Sequence, residues 1–119
     1  MYPLLLVVDD DADTRDWVKL LLELDGYDVL TAADGFEALH MIKSCNPDLI
    51  ISDVMMPGMD GVTLCNTLKR DVATASIPVI LCSAYPGKIP SRLIAQMTAV
   101  LAKPVDIEQL EREIKAALA

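Results

Sequence analysis

This chain of 119 residues contains five short apolar runs that are separated by longer amphipathic stretches. Within each run the apolar residues are nearly continuous, which is typical of strands that are buried on both faces. Such strands occur in parallel sheets whose two faces are covered by helices. The runs occupy residues 4–8, 29–33, 49–52, 77–82 and 99–102.

Helical patterns fill the intervals between the runs. The first helix has Trp17 at an apolar position, where we expect it to be a core residue, and Gly26 supplies a stop signal. Pro86 and Pro90 confine the fourth helix to roughly residues 91–97. The other three helices are predicted to follow Asp34, Asp60 and Asp106.

The strict alternation of strands and helices predicts a three-layer α/β fold with right-handed crossovers. Five strands suit the flavodoxin-like (βα)5 arrangement, a parallel sheet of order 2-1-3-4-5 in which ligands bind beyond the carboxyl ends of the strands. Because no linker or repeat interrupts the pattern, residues 1–119 are expected to form a single domain.

The composition of the chain argues against disorder, nucleic-acid binding and membrane association. The chain is 53% hydrophobic and 24% charged, which supplies a core and argues against disorder. Its net charge is −8, and such a chain is a poor match for nucleic acid, whose phosphates must be met by lysine and arginine. No apolar run is long enough to span a membrane and no basic segment precedes the first run, so we expect a cytoplasmic protein without membrane association.

The three cysteines are too widely spaced to suggest a disulfide framework or a zinc site. Each lies within an apolar pattern, so we expect each to be a small buried residue in a reducing compartment. These residues are Cys45, Cys65 and Cys82.

Polar side chains follow four of the predicted strands at the points where the strands end. Asp9 and Asp10 follow the first strand, Asp53 the third, Ser83 the fourth and Lys103 the fifth. Each residue alone is an ordinary turn, cap or surface residue, but a parallel sheet brings all five to one edge. Three carboxylates gathered there would repel one another unless a cation lies among them, and oxygen ligands favour Mg²⁺. A lysine beside such an ion suits phosphoryl chemistry.

Four segments of the sequence resemble the receiver domains of response regulators in two-component signalling. The resemblance covers the whole chain, and its most specific part is the segment DVMMPGMDG. The other three segments are LLLVVDDDADTRDWV, ILCSA and LAKP. The resemblance implies a phosphorelay protein that takes a phosphoryl group from a sensor histidine kinase or a histidine phosphotransfer protein and changes conformation. It also implies a self-catalysed phosphoacceptor with slow autodephosphorylation rather than an enzyme. The resemblance does not identify the downstream protein partner or a fused output domain.

The same resemblance implies a role for each residue at the strand ends. Asp53 is the phosphoacceptor, and Asp10 and Asp53 are direct Mg²⁺ ligands. Ser83 bonds to the phosphoryl oxygens, Lys103 pairs with them, and the Lys103-Pro104 peptide bond is cis. The remaining metal contacts implied are Asp9, largely through water, and the backbone carbonyl of Met55.

The sequence departs from the family in the switch region. Receivers usually carry Tyr or Phe three residues before the lysine, as a switch that follows the hydroxyl residue inward, and this chain has Val100 there. The segment between Ser83 and Lys103 is also short. We therefore do not expect the usual output surface, which is formed by the fourth helix, fifth strand and fifth helix, to be intact. Bulky Met55 and Tyr85 occupy the positions that flank the path of a hydrolytic water, so a long-lived phosphoryl group is predicted.

Two other functions fit parts of the pattern. The first is a receiver-like interaction module that acts without phosphorylation. The second is a Mg²⁺-dependent phosphohydrolase with Asp9 as nucleophile and Asp11 as acid, although 119 residues supply no cap domain to exclude water. His40 on the second helix is expected to be partly exposed, and no second histidine is present to form a metal pair.

Overall fold

The structure, a computed structural model, describes residues 2–119. Within that range the chain forms a parallel sheet of five strands in the order β2-β1-β3-β4-β5, which confirms the predicted fold class and strand order. Strand β4 begins two residues later than its apolar run, because the ring nitrogen of Pro78 has no hydrogen to donate to the sheet. The strands are β1 (Leu4–Val8), β2 (Asp28–Ala32), β3 (Leu49–Asp53), β4 (Val79–Ser83) and β5 (Ala99–Ala102).

Helices cover both faces of the sheet and make it the middle of three layers. Buried residues of α1 and α5, such as Leu22 and Leu110, pack in one apolar core. Ala38 of α2, Leu64 of α3 and Leu93 of α4 belong to the core on the other face. The helices are α1 (Ala12–Leu24), α2 (Gly35–Cys45), α3 (Gly61–Arg70), α4 (Ser91–Ile94) and α5 (Ile107–Leu118).

Aspartate side chains begin three of the helices, as the sequence predicts. The Asp34 carboxylate accepts a hydrogen bond from the Glu37 amide at 2.8 Å, and that of Asp60 accepts one from Thr63 at 2.8 Å. Asp106 accepts from the Glu108 amide at 2.9 Å. Each bond satisfies an amide that the first turn leaves free.

The fourth helix is a single turn. A short 3-10 turn at Pro86–Lys88 precedes it, and the chain then returns to the sheet, where the Thr98 amide donates to the Val79 carbonyl at 2.9 Å. The two prolines therefore confine α4, and it ends at Ile94, before the end of the predicted interval.

Two burial predictions are wrong. Trp17 is 55% exposed, because Leu22 faces the sheet and Trp17 lies on the outer side of α1 with Leu20 and Leu24. Cys45 is exposed at the end of α2, where the chain turns away, whereas the other two cysteines are buried as predicted. Among the described residues, none of the helices has the length and apolar character that a membrane crossing needs.

Candidate functional site

The backbone pairing brings the carboxyl ends of the strands to one edge. The Asp9 amide donates to the Ala32 carbonyl at 3.1 Å, just beyond the last paired residue of β1. Asp53 lies beside Cys82 in register, and the Lys103 amide donates to the Ser83 carbonyl at 2.9 Å. The side chains that the sequence assigns to different strand ends therefore belong to one site.

Three carboxylates gather at this edge. Asp9, Asp10 and Asp53 each offer an oxygen that lies within 4.8 Å of the oxygens of the other two. Asp9 and Asp53 are buried, whereas Asp10 is exposed. The donor set consists of carboxylate oxygens, which are the ligands that hard divalent cations prefer. The cluster can therefore hold a metal ion.

Lys103 forms an ion pair with Asp53. Burial raises the pKa of the Asp53 carboxyl, and the nearby charges of Asp9 and Asp10 act in the same direction, although the Lys103 hydrogen bond opposes them. Burial lowers the pKa of Lys103, but its hydrogen bond and charge interaction with Asp53 outweigh this effect and raise the pKa overall. Burial also raises the pKa of the neighbouring Cys82 thiol to about 12, so this thiol is a poor nucleophile at neutral pH.

The loop between β1 and α1 is held by contacts to Asp9 that the sequence does not reveal. Arg15 Nη1 donates to the Asp9 carbonyl oxygen at 2.7 Å, and the Asp11 amide donates to Asp9 Oδ1 at 2.9 Å. Every residue has a backbone carbonyl, so the sequence does not reveal which one an arginine will contact. The position of Arg15 in the first turn of a helix is the only hint. Arg15 is thus a positioning residue that sequence reasoning missed.

Asp11 does not resemble the proton donor of a phosphohydrolase. Its carboxylate accepts a hydrogen bond from the Thr14 hydroxyl at 2.5 Å. That bond, with help from backbone amides, lowers the pKa of Asp11. A general acid at neutral pH needs a raised pKa, so this geometry disfavours the rival in which Asp9 is the nucleophile.

Gly61 permits a close approach between α3 and the end of β3. A Cβ at this position would lie 2.2 Å from the Asp53 carbonyl oxygen, and the Gly61 amide donates to the Val54 carbonyl at 2.8 Å. Gly58 turns the loop with a φ of +78°, a conformation that L side chains rarely adopt. The two glycines therefore have different roles, and only Gly58 needs a left-handed backbone.

Met55, Ser83 and Tyr85 line a small cavity of about 80 Å³. The Ser83 hydroxyl oxygen accepts a hydrogen bond from the Tyr85 amide at 3.0 Å. Met55 and Tyr85 are 70% and 63% exposed, and Lys88 Nζ lies 5.1 Å from the centroid of the Tyr85 ring. The structure thus brings together three of the four residues that the sequence analysis assigns to switching and hydrolysis.

Val100 lies apart from that cavity. It is half-buried on β5, in register with Leu81, and packs against the core on the α3 and α4 face. His40 is exposed on α2, more fully than the sequence predicts. The Lys103-Pro104 peptide bond is cis, as the resemblance implies.

Comparisons with known proteins agree with this geometry. Residues 5–115 match the response regulator receiver domain family. The chain is 38% identical to the DNA-binding dual master transcriptional regulator RpaA of Synechocystis sp., over 98% of this chain and 49% of that protein. It is 39% identical to protein PilG of Pseudomonas aeruginosa, over 93% of this chain and 84% of PilG. The chain thus spans about half the length of RpaA and most of PilG.

A solved structure shares the whole arrangement of strands and helices. The response regulator protein TrrA of Thermotoga maritima, in complex with Mg²⁺-BeF, superposes with a TM-score of 0.87 and 29% sequence identity. The match covers 97% of this chain and 98% of TrrA.

Proposed function

The chain belongs to the response regulator receiver domain family, and on that premise we propose that its Asp53 accepts a phosphoryl group in two-component signalling. The observation that carries the proposal is the position of Asp53 between two further carboxylates and the Lys103 ammonium. Phosphoryl transfer needs a positioned nucleophile and positive charge that neutralises the phosphoryl oxygens. The buried carboxylate can act as the nucleophile, and the cation-binding cluster and the lysine can supply the charge. Residues 1–119 act in this proposal as a single receiver domain.

The transfer is a displacement at phosphorus. A carboxylate oxygen of Asp53 attacks the phosphorus of a phosphohistidine, the phosphorus–nitrogen bond breaks, and its electron pair leaves with the imidazole of the donor. Lys103 stays close to the phosphoryl oxygens as its pairing with Asp53 loosens, and the Ser83 hydroxyl bonds to one of them. Positioning and charge neutralisation supply most of the catalysis in such reactions.

Mg²⁺ is the ion proposed for the carboxylate cluster. Asp10 and Asp53 would bind it directly, Asp9 largely through water, and the backbone carbonyl of Met55 would complete the protein contacts. The bound ion supplies positive charge that neutralises the phosphoryl oxygens. The presence of Mg²⁺-BeF in the similar protein TrrA supports this choice.

Switching begins at Ser83 in this proposal. Its hydroxyl oxygen accepts a hydrogen bond from the Tyr85 amide, so a movement of the Ser83 side chain toward a phosphoryl group would pull on the backbone at Tyr85. Val100 has no aromatic ring that could follow Ser83 inward. Tyr85, which borders the same cavity, takes over part of that role by moving with Ser83.

The proposed phosphodonor is a sensor histidine kinase or a histidine phosphotransfer protein. The reaction is self-catalysed, with slow autodephosphorylation, and takes place in the cytoplasm. We assign no nucleic-acid binding to this domain because its net charge is −8. RpaA, of which the chain spans about half, is by its name DNA-binding.

Labelling with acetyl phosphate tests the proposal against an interaction module that acts without phosphorylation. The chain is expected to gain one phosphoryl group, seen by intact mass, when Mg²⁺ is present and none when EDTA is added instead. Absence of any gain with Mg²⁺, in protein whose amide spectrum shows it folded, would favour the module.

A further inference from the structure

Two arginines at the groove between α3 and α4 have no acidic partner. Within residues 2–119 the one ion pair joins Lys103 to Asp53, so Arg70 and Arg92 have none. Every other basic residue of that range except Lys103 also lacks an ion pair, so Arg70 and Arg92 are distinguished by their shared groove. Two cationic groups at one groove, with no carboxylate among its lining residues, create a local positive potential on an acidic molecule.

The groove has a mixed lining and a volume of about 360 Å³. Asn66 and Arg70 lie one helical turn apart on α3, and Arg92 contributes from α4. Pro90 supplies the exposed apolar part of the lining, whereas Leu93, the other apolar lining residue, is only 2% exposed. Because α4 is only one turn long, little of it lies beside α3 at the groove.

We propose that this groove binds an acidic peptide segment of a protein partner. Carboxylates of the segment pair with Arg70 and Arg92, and an apolar side chain between them packs on Pro90. A guanidinium presents paired N–H donors that match the two oxygens of a carboxylate. A lone small anion would leave the apolar part of the groove uncovered, whereas a segment that alternates acidic and apolar residues uses all of it.

A titration followed by amide resonances tests the proposal on the full chain. The probe is the capped peptide acetyl-ELDLE-amide, and its neutral counterpart is acetyl-QLNLQ-amide. The acidic peptide is expected to shift the amides of Asn66, Arg70 and Leu93 saturably, and the neutral peptide is not. Absence of saturable shifts there would overturn the proposal. Inorganic phosphate that saturates the same amides at equal concentration would also overturn it, in favour of a simple anion site.

Charge-matched variants separate the groove from the overall charge. Arg70→Gln with Arg92→Gln should weaken the acidic peptide about tenfold, as expected for the loss of two ion pairs near a surface. Both side chains are exposed, so the fold should be retained. The control replaces Arg112 and Lys115 on α5 by glutamine and removes the same charge. Equal weakening in both proteins, or no weakening in the groove variant, would contradict the assignment.

Discussion

The position of the Asp53 carboxylate lowers the stability of the folded protein, and the proposed phosphoacceptor role would require that position. It is buried beside two other acidic side chains, and its pKa is raised although Lys103 pairs with it. The unfolded chain therefore releases the Asp53 proton at a lower pH than the native protein does. As pH rises above the ordinary aspartate value of about 4, this group lowers the free energy of unfolding. Functional sites often reduce stability in this way.

Asp53→Asn should accordingly stabilise the metal-free protein. We expect a gain of about 1 kcal/mol, or about 4 °C in the thermal midpoint for a domain of this size. The gain should grow from pH 4 toward neutrality, because the aspartate loses its proton as pH rises through its raised pKa. Thermal melts over that pH range measure it. Asp16→Asn, an exposed carboxylate on α1, is the matched control and should change little.

Mg²⁺ provides a second comparison between the same three proteins. Because an ion that binds the native state stabilises it by mass action, Mg²⁺ should raise the midpoint of the wild type and of Asp16→Asn. The shift should be smaller for Asp53→Asn, which lacks one carboxylate of the cluster. Equal Mg²⁺ shifts in all three proteins would show that the ion does not bind at Asp53.

The junction between β3 and α3 leaves no room for a side chain at Gly61. Gly61→Ala should lower the free energy of unfolding by about 2 kcal/mol or more, since the new methyl group would meet the Asp53 carbonyl oxygen at 2.2 Å. Gly87→Ala is the control, because a Cβ there meets nothing within 4 Å. Urea unfolding measures both. If the Gly61 variant were as stable as the Gly87 variant, the prediction would be wrong, because α3 could then move away from Asp53 without a loss in the free energy of unfolding.

In the proposed function, the loops after β3 and β4 would set the lifetime of the phosphoryl group. Hydrolysis needs a water in line with the phosphorus, opposite the leaving carboxylate oxygen. Met55 and Tyr85 are bulky, border one cavity with Ser83 and carry no carboxylate or amide that orients a water. We therefore predict that phospho-Asp53 persists for many minutes.

Replacing both flanking side chains should shorten that lifetime. Met55→Asn with Tyr85→Glu should increase the rate of phosphoryl loss severalfold, since about 1.4 kcal/mol of barrier is a tenfold change in rate. Leu24→Asn with Tyr2→Glu makes similar changes at exposed positions outside the site and is the control. Loss within seconds in the wild type, or no acceleration in the double variant, would refute the steric argument.

At the scale of the whole molecule, the sequence predicts the fold and the site better than it predicts the surface. Continuous apolar runs that alternate with helices indicate a parallel sheet that is covered on both faces. The strand order follows from that fold class, and the sheet brings Asp53 and Lys103 to one edge. The exposure of Trp17 does not, because α1 is apolar at six of eight positions from residue 17 to residue 24 and its buried face is ambiguous. The bond from Arg15 to the Asp9 carbonyl and the close approach at Gly61 are invisible for another reason. Both depend on backbone atoms that every residue shares.

The central claim is that the edge of the sheet directs phosphoryl transfer to Asp53. Labelling with acetyl phosphate and Mg²⁺, followed by intact mass and peptide mapping, tests it in the wild type, Asp53→Asn and Asp16→Asn. The wild type and Asp16→Asn should each gain one phosphoryl group on the peptide that contains Asp53, and Asp53→Asn should gain none. Labelling that survives in Asp53→Asn, or that maps to Asp9 in the wild type, would contradict the claim.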